Sequence, residues 1–181
     1  KLNLLRKQPN IFSALGVGKY EIRHSNFLAW LLKPEESHGL GDLFLTRFLR
    51  DVFLDDRCKE VSLIDLPNFD LRKTIVYREW NNIDLLVEIG DIVIVIENKF
   101  LTNEHGNQLF RYQKTVNEAF PKTKKVFVYL TPYGDEASEK ETDINYSYER
   151  ILEILGDLLK LYNDALSSGR GIYIKERRHG V

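Results

Sequence analysis

Apolar residues in the first part of the chain recur at near-helical spacing. Glu21–Leu32 carries its apolar side chains at such intervals, and Lys33-Pro34 ends the pattern because the residue before a proline avoids the helical region. A second apolar stripe predicts a helix over about residues 41–53, and residues 65–70 have the composition of a loop. The pattern therefore predicts two amphipathic helices before the first strand.

The middle of the chain changes to the pattern of β-strands. Strands are predicted over residues 74–80, 82–89 and 91–98, with turns at Asn81-Asn82 and Gly90-Asp91. Because the turns are so short, the three strands are expected to form an antiparallel meander.

The rest of the chain predicts a helix, then a strand, then a second helix. A helix is predicted over residues 103–120, and a nearly continuous apolar run at residues 125–131 is typical of a strand covered on both faces. A polar stretch over residues 132–145 precedes a strongly amphipathic helix that includes Tyr148 and Tyr162. The crossover through the third helix should be right-handed and place the third and fourth strands parallel.

Together these patterns predict one mixed α/β domain over residues 1–181. Its central sheet would have about four strands flanked by helices, and a carboxyl-terminal helix and basic tail would occupy residues 146–181. Apolar residues make up 43% of the chain and charged residues 29%, which is typical of globular proteins. The apolar runs are too short for a membrane helix and no secretory leader is recognisable, so we expect a soluble, cytoplasmic protein without membrane contact. The single Cys58 cannot form an internal disulfide, in keeping with a reducing compartment.

Candidate chemistry lies at the ends of the second and third strands. Asp84 interrupts a hydrophobic strand, and Glu97 and Lys99 share a face at the end of a strongly apolar one. Unpaired buried charges are costly, so these side chains should be paired or used. An isolated Glu-x-Lys triplet is more often a surface pair at a strand end, but the preceding Asp84 strand, the short turn and the following helix favour a site.

These residues resemble the D...(D/E)-x-K core of the PD-(D/E)XK nucleases. The matching segments are Ile83-Asp84-Leu85-Leu86 and Ile96-Glu97-Asn98-Lys99, with Ile83 in the position of the superfamily's proline. Gln108 and Tyr112 form a Q-x-x-x-Y pair one helical turn apart, similar to the extra motif of the RecB-like branch. Residues 20–32, with the following Pro34 and His38-Gly39, resemble the first helix of a group of uncharacterised PD-(D/E)XK proteins, and the whole resemblance covers roughly residues 20–133.

The resemblance implies a restriction-endonuclease-like core of order αβββαβ that hydrolyses phosphodiester bonds. It assigns catalytic roles to Asp84, Glu97, Lys99, Gln108 and Tyr112. It also implies that Asp84, Glu97, the Asn98 carbonyl and Glu21 hold a metal ion. Oxygen ligands of this kind suit Mg²⁺ or Mn²⁺. Simpler roles stay open for three residues: a helix-start glutamate for Glu21, a solvated side chain for Gln108 and a core aromatic for Tyr112.

We therefore expect a Mg²⁺-dependent nuclease whose partner is nucleic acid, with DNA as the expected substrate. The net charge of −1 gives no sign of a polyanion partner, so binding must rest on local cations. The local clusters are Arg72-Lys73, Arg111 with Lys114, Lys122 with Lys124 and Lys125, and the Lys175, Arg177 and Arg178 tail. His24 and His38 either bind phosphate or stabilise the fold. The first alternative is a catalytically inactive nucleic-acid-binding or complex-forming module on the same fold. The second is a metal protein that does not bind nucleic acid, or a small interaction domain. The sequence distinguishes neither DNA from RNA nor cleavage at ends from cleavage within a strand, and it leaves the oligomeric state open.

Overall fold

A computed structural model describes residues 21–99, 108–135 and 143–167 as helices packed on both faces of one β-sheet. The helices are α1 (Glu21–Leu32), α2 (Leu43–Leu54), α3 (Gln108–Ala119) and α4 (Tyr148–Ser167). The strands are β1 (Ile75–Trp80), β2 (Ile83–Ile89), β3 (Ile92–Asn98), β4 (Lys124–Thr131) and β5 (Ile144–Ser147). Short 3₁₀ turns at Leu63–Asn68 and Leu71–Lys73 lie in and beside the segment predicted as a loop.

The sheet is mixed and has the strand order β1-β2-β3-β4-β5. The first three strands form the predicted antiparallel meander, and the β3–β4 and β4–β5 pairs are parallel. The mixed α/β class with a restriction-endonuclease-like core is thereby confirmed. The sheet has one strand more than the sequence predicts, because β5 lies at the end of the stretch assigned to a polar segment. In β5 only Ile144 and Tyr146 are buried, so its pattern is too short to detect in sequence.

A tight hairpin joins β1 to β2. Asn81 and Asn82 both have positive φ, +50° and +67°, which is the conformation of a type I′ turn. Asparagine tolerates this left-handed backbone better than most residues, because its side chain bonds locally. Trp80 pairs with Ile83 directly beside the turn. The turn thus fixes the register of β2 from its first residue.

The two faces of the sheet bury two separate apolar clusters. Ile92, Ile94 and Ile96 pack with α1, α2 and α4, whereas Val93 and Val95 pack with Tyr112 and Val116 of α3. Side chains alternate along a strand, so the residues that follow Ile96 also alternate between these faces. Glu97 faces α3, and Asn98 faces α1 and α4. No helix in the described parts of the chain is long and apolar enough to cross a membrane.

Candidate active site

Asp84 and Glu97 occupy neighbouring positions on two paired strands. The β2–β3 ladder ends with the pair Leu85 and Ile96, and the same register places Asp84 opposite Glu97 one residue further on. Residues directly opposite in an antiparallel pair have Cβ atoms about 5 Å apart. Two carboxylates predicted from separate strands therefore meet at one edge of the sheet.

The backbone of β3 holds Asp84 in place. The N–H of Asn98 donates to Oδ2 of Asp84 across 2.8 Å, just beyond the last residue pair of the β2–β3 ladder. A hydrogen bond to a charged acceptor is stronger than one to a neutral acceptor. The orientation of the Asp84 carboxylate is therefore coupled to the backbone between Glu97 and Lys99.

Glu97 is buried beside both a cation and an anion. Its side chain is 1% exposed, and Nζ of Lys99 lies 2.8 Å from its Oε1. Burial, followed by the negative charge of Asp84, raises the pKa of the Glu97 carboxyl to about 7, although Lys99 and Tyr112 act in the opposite direction. Lys99 and Tyr112 therefore do not fully offset the two effects that favour the protonated form of Glu97.

Lys99 has a fixed backbone although it follows the last residue of β3. Its N–H donates to the Leu130 carbonyl across 2.8 Å, which continues the contact between β3 and β4. Its side chain is 11% exposed. Lys99 is therefore held beside Glu97 and does not extend into solvent.

Asn98 points away from the carboxylates, into the face covered by α1 and α4. Its Nδ2 donates to Oγ of Ser25 across 2.9 Å, and the Tyr148 hydroxyl donates to its Oδ1 across 2.9 Å. The amide is fully buried. A metal contact from Asn98 is consequently left to its main-chain carbonyl, the atom that the resemblance implies.

Ser25 and Tyr148 were not predicted as site residues. Ser25 is a buried hydroxyl on α1, and Tyr148 follows β5 directly. The carboxyl ends of the parallel strands β3, β4 and β5 lie at one edge of the sheet, which brings Tyr148 to Asn98. A buried asparagine needs polar partners, but its sequence position does not identify them.

The remaining predicted site residues lie on the helices around the carboxylates. Tyr112 is buried, and its hydroxyl donates to the Asn82 carbonyl in the β1–β2 turn. Tyr112 also lowers the pKa of the neighbouring Glu97 carboxyl. Gln108 and Glu21 are the first residues of α3 and α1, but their side chains lie outside the described parts of the structure. Their roles stay predictions.

A polar cleft reaches Asp84 from the side of the edge strand β1. It has a volume of about 510 Å³ and is lined by residues of α1, β1 and β2, among them Ser25, Asn26, Arg78 and Asp84. The Arg78 guanidinium donates to the Asn26 side chain, which holds this cation on the cleft wall. The cleft provides a route by which a ligand can reach Asp84.

The two histidines of the first helical region have structural contacts. His24 is fully buried and lies edge-on to the Tyr148 ring, with centroids 5.6 Å apart. His38 accepts the Leu40 N–H at Nδ1 and contacts the Lys33 carbonyl through Nε2. This pattern requires the proton on Nε2, and it fixes the loop between α1 and α2.

The chemistry of the site fits a hard divalent cation. The described residues contain no group of three histidine, cysteine or acidic side chains placed to hold a metal. Asp84 and Glu97 supply two carboxylates, and a cation between them would relieve the repulsion that raises the pKa of Glu97. Carboxylate oxygens suit Mg²⁺ or Mn²⁺, with Glu21 and the Asn98 carbonyl as the proposed further ligands.

Comparison with known proteins tests the family resemblance. Searches of curated proteins and of solved structures give no match. A family model described as the PD-(D/E)XK nuclease superfamily matches residues 9–171, which is most of the chain and extends beyond the segment that carried the resemblance. Strand β2 with Asp84, strand β3 with Glu97, and the following Lys99 all lie within that match. The chain therefore belongs to the PD-(D/E)XK nuclease superfamily.

Proposed function

We propose that the protein is a metal-dependent nuclease that hydrolyses phosphodiester bonds in DNA. The main support for this proposal is that Asp84, Glu97 and Lys99 lie together where β2 begins and β3 ends. A pair made only for stability would need Glu97 and Lys99 alone. The second carboxylate, Asp84, destabilises such a pair because it raises the pKa of Glu97. A site that binds a cation explains why Asp84 is present.

Each residue has a distinct role in the proposed reaction. Asp84 and Glu97 hold the metal ion, together with Glu21 and the Asn98 carbonyl. A bound Mg²⁺ or Mn²⁺ supplies positive charge for the phosphate and a lower pKa for nearby water. Lys99 orients the attacking water or stabilises the negative charge that develops on the phosphate oxygens.

The overall chemistry is the addition of water to one ester bond. The water oxygen forms a bond to phosphorus, one P–O ester bond breaks, and the products are a phosphomonoester and an alcohol. Gln108 and Tyr112 support the site from α3. The Tyr112 hydroxyl holds the turn that precedes Asp84, and Tyr112 also lowers the pKa of Glu97.

The cleft beside α1 and β1 is the proposed entrance for the DNA strand. Among the residues that line the cleft, Arg78 is the cation closest to Asp84 along the chain. Its hydrogen bond to Asn26 restricts the conformations of its side chain. A restrained arginine loses less side-chain entropy when it contacts a phosphate. Arg78 is therefore proposed as a substrate contact.

The test is cleavage of single-stranded DNA, double-stranded DNA and RNA with Mg²⁺ or Mn²⁺. We expect DNA cleavage by the wild type, loss of cleavage in Asp84→Asn, and retention in the matched control Glu88→Gln. Glu88 lies on the same strand face as Asp84, and it accepts a hydrogen bond from Tyr77. Oligonucleotide binding without cleavage would instead support an inactive module, and absence of both would favour a metal protein with another ligand.

A further inference from the structure

The amide of Asn98 connects the carboxylate site to the helices α1 and α4. On one side it donates to Ser25 of α1, and on the other it accepts from Tyr148 of α4. All three side chains are at least 94% buried, with exposures of 4%, 0% and 5% for Ser25, Asn98 and Tyr148. Buried hydrogen bonds of this kind hold a side chain in one orientation because water cannot replace them.

The same residue orients Asp84 through its main chain. The Asn98 N–H contacts Asp84 Oδ2, and the neighbouring Lys99 N–H contacts the Leu130 carbonyl. A shift of the Asn98 side chain would move the peptide that supports the Asp84 carboxylate. It would also move Glu97, which precedes that peptide, so the distance between the two carboxylates depends on the amide.

We propose that Ser25, Asn98 and Tyr148 are positioning residues that set the separation of Asp84 and Glu97 and thereby the affinity for the metal ion. The proposal rests on the proposed function, since it concerns the same site. Tyr148 acts through the Asn98 amide, and it is not among the residues that line the cleft. Loss of a hydrogen-bonded partner behind a ligand typically lowers metal affinity by about 10- to 100-fold.

The first arm of the test needs neither metal nor substrate. In the metal-free protein, Tyr148→Phe should shift the NMR signals of the Asn98 side-chain amide, of its backbone N–H and of the Asp84 carboxylate. Tyr146→Phe is the matched control, because Tyr146 lies two residues earlier and its hydroxyl donates to Asp51, at 2.8 Å, instead of the site. The control should leave the Asp84 signal unchanged. An unchanged Asp84 signal in Tyr148→Phe would overturn the positioning proposal, whatever the protein cleaves.

The second arm measures Mn²⁺ affinity by calorimetry and cleavage at two metal concentrations. Tyr148→Phe and Ser25→Ala should each bind Mn²⁺ about 10-fold more weakly, and saturating Mn²⁺ should restore much of the cleavage rate. In Tyr148→Phe, KM for DNA should be unchanged, because Tyr148 is not among the residues that line the cleft. A merely structural role would lower the melting temperature of Tyr146→Phe and Tyr148→Phe alike without this rescue by metal.

Wild-type Mn²⁺ affinity in both Tyr148→Phe and Ser25→Ala would contradict the positioning proposal but not the proposed nuclease activity. Mn²⁺ binding that responds to Tyr148→Phe, without cleavage by the wild type, would contradict the nuclease and support the positioning role.

Discussion

Nζ of Lys99 lies 2.8 Å from Oε1 of Glu97, and the two side chains are only 11% and 1% exposed. Such a pair differs from a surface salt bridge, because water does not screen it and each partner depends on the other. With the half-buried Asp84 opposite Glu97, the site contains two acids and one base close together. Its energetics should therefore change measurably with pH, with metal and with removal of any one member.

The metal-free protein should lose stability as the pH rises from about 4.5 to 7. The folded-state pKa of Glu97 is raised from 4.5 to about 7, so in this window the folded state retains a proton that the unfolded state releases. The contribution is fully present below the unfolded pKa and is lost as the pH passes the folded pKa. Relative to Glu97→Gln, the wild-type free energy of unfolding should fall by about 3 kcal/mol. Urea unfolding in EDTA at several pH values measures this difference, and parallel curves for both proteins would contradict it.

Mg²⁺ or Mn²⁺ should raise the melting temperature, because the carboxylates converge only in the folded state. A ligand at about 100 times its Kd adds about 2.7 kcal/mol to stability, which is several degrees for a domain of this size. Asp84→Asn should abolish the shift, since asparagine can still accept the Asn98 N–H but carries no charge. Glu88→Gln should retain it. Absence of any response by the wild type at millimolar metal would count against the proposed site.

Lys99→Ala should separate chemistry from metal binding. The two carboxylates remain, so metal affinity should not fall, whereas cleavage should drop by about 10²- to 10³-fold, as for loss of one preorganised charge donor. Lys124→Ala is the matched control, because Lys124 also pairs with a carboxylate, Asp91, but at 3.6 Å and with 40% exposure. Calorimetry and single-turnover cleavage on the same preparations measure both quantities. Full cleavage by the Lys99 variant would remove it from the catalytic role.

Tyr112→Phe should lower both stability and cleavage. The hydroxyl donates to the Asn82 carbonyl, and loss of this one hydrogen bond costs about 0.5–1.5 kcal/mol. Because Tyr112 also lowers the pKa of Glu97, its loss should raise that pKa further and weaken metal binding at pH 7. Circular dichroism and cleavage assays test this, with Gln108→Ala as the second variant of the motif. An active, folded Tyr112→Phe would restrict the hydroxyl to a role in the turn.

Arg78→Ala should weaken DNA binding with little effect on the rate at saturating substrate. One lost phosphate contact should reduce the slope of log affinity against log salt by about one. Lys59→Ala, an exposed cation outside the cleft that contains Asp84, is the control. Fluorescence anisotropy with a labelled oligonucleotide at several salt concentrations measures the slope. An unchanged slope in the Arg78 variant would argue against this cleft as the entrance.

The parts of the fold that the sequence predicts well are those with strong local patterns. The apolar run of β3 and the Asn81-Asn82 turn determine the meander, and through it the meeting of Asp84 with Glu97. Strand β5 escaped prediction because it has only four residues, of which two are buried, and follows a polar stretch. The contacts of Asn98 could not be predicted either, because its partners lie 73 and 50 residues away along the chain. Such contacts follow from the packing of the whole domain and not from a local pattern.

The hydrogen bond from Tyr148 to Asn98 also has a consequence for the order in which the site is made. During synthesis the amino-terminal end emerges first, so the two hairpins with Asp84 and Glu97 are complete about 50 residues before Tyr148 is available. Local pairings of this kind form quickly, whereas contacts between distant segments form late. A growing chain would thus contain both acids and Lys99 without the support of α4. Nuclease activity that depends on this support would therefore begin only after α4 has been synthesised.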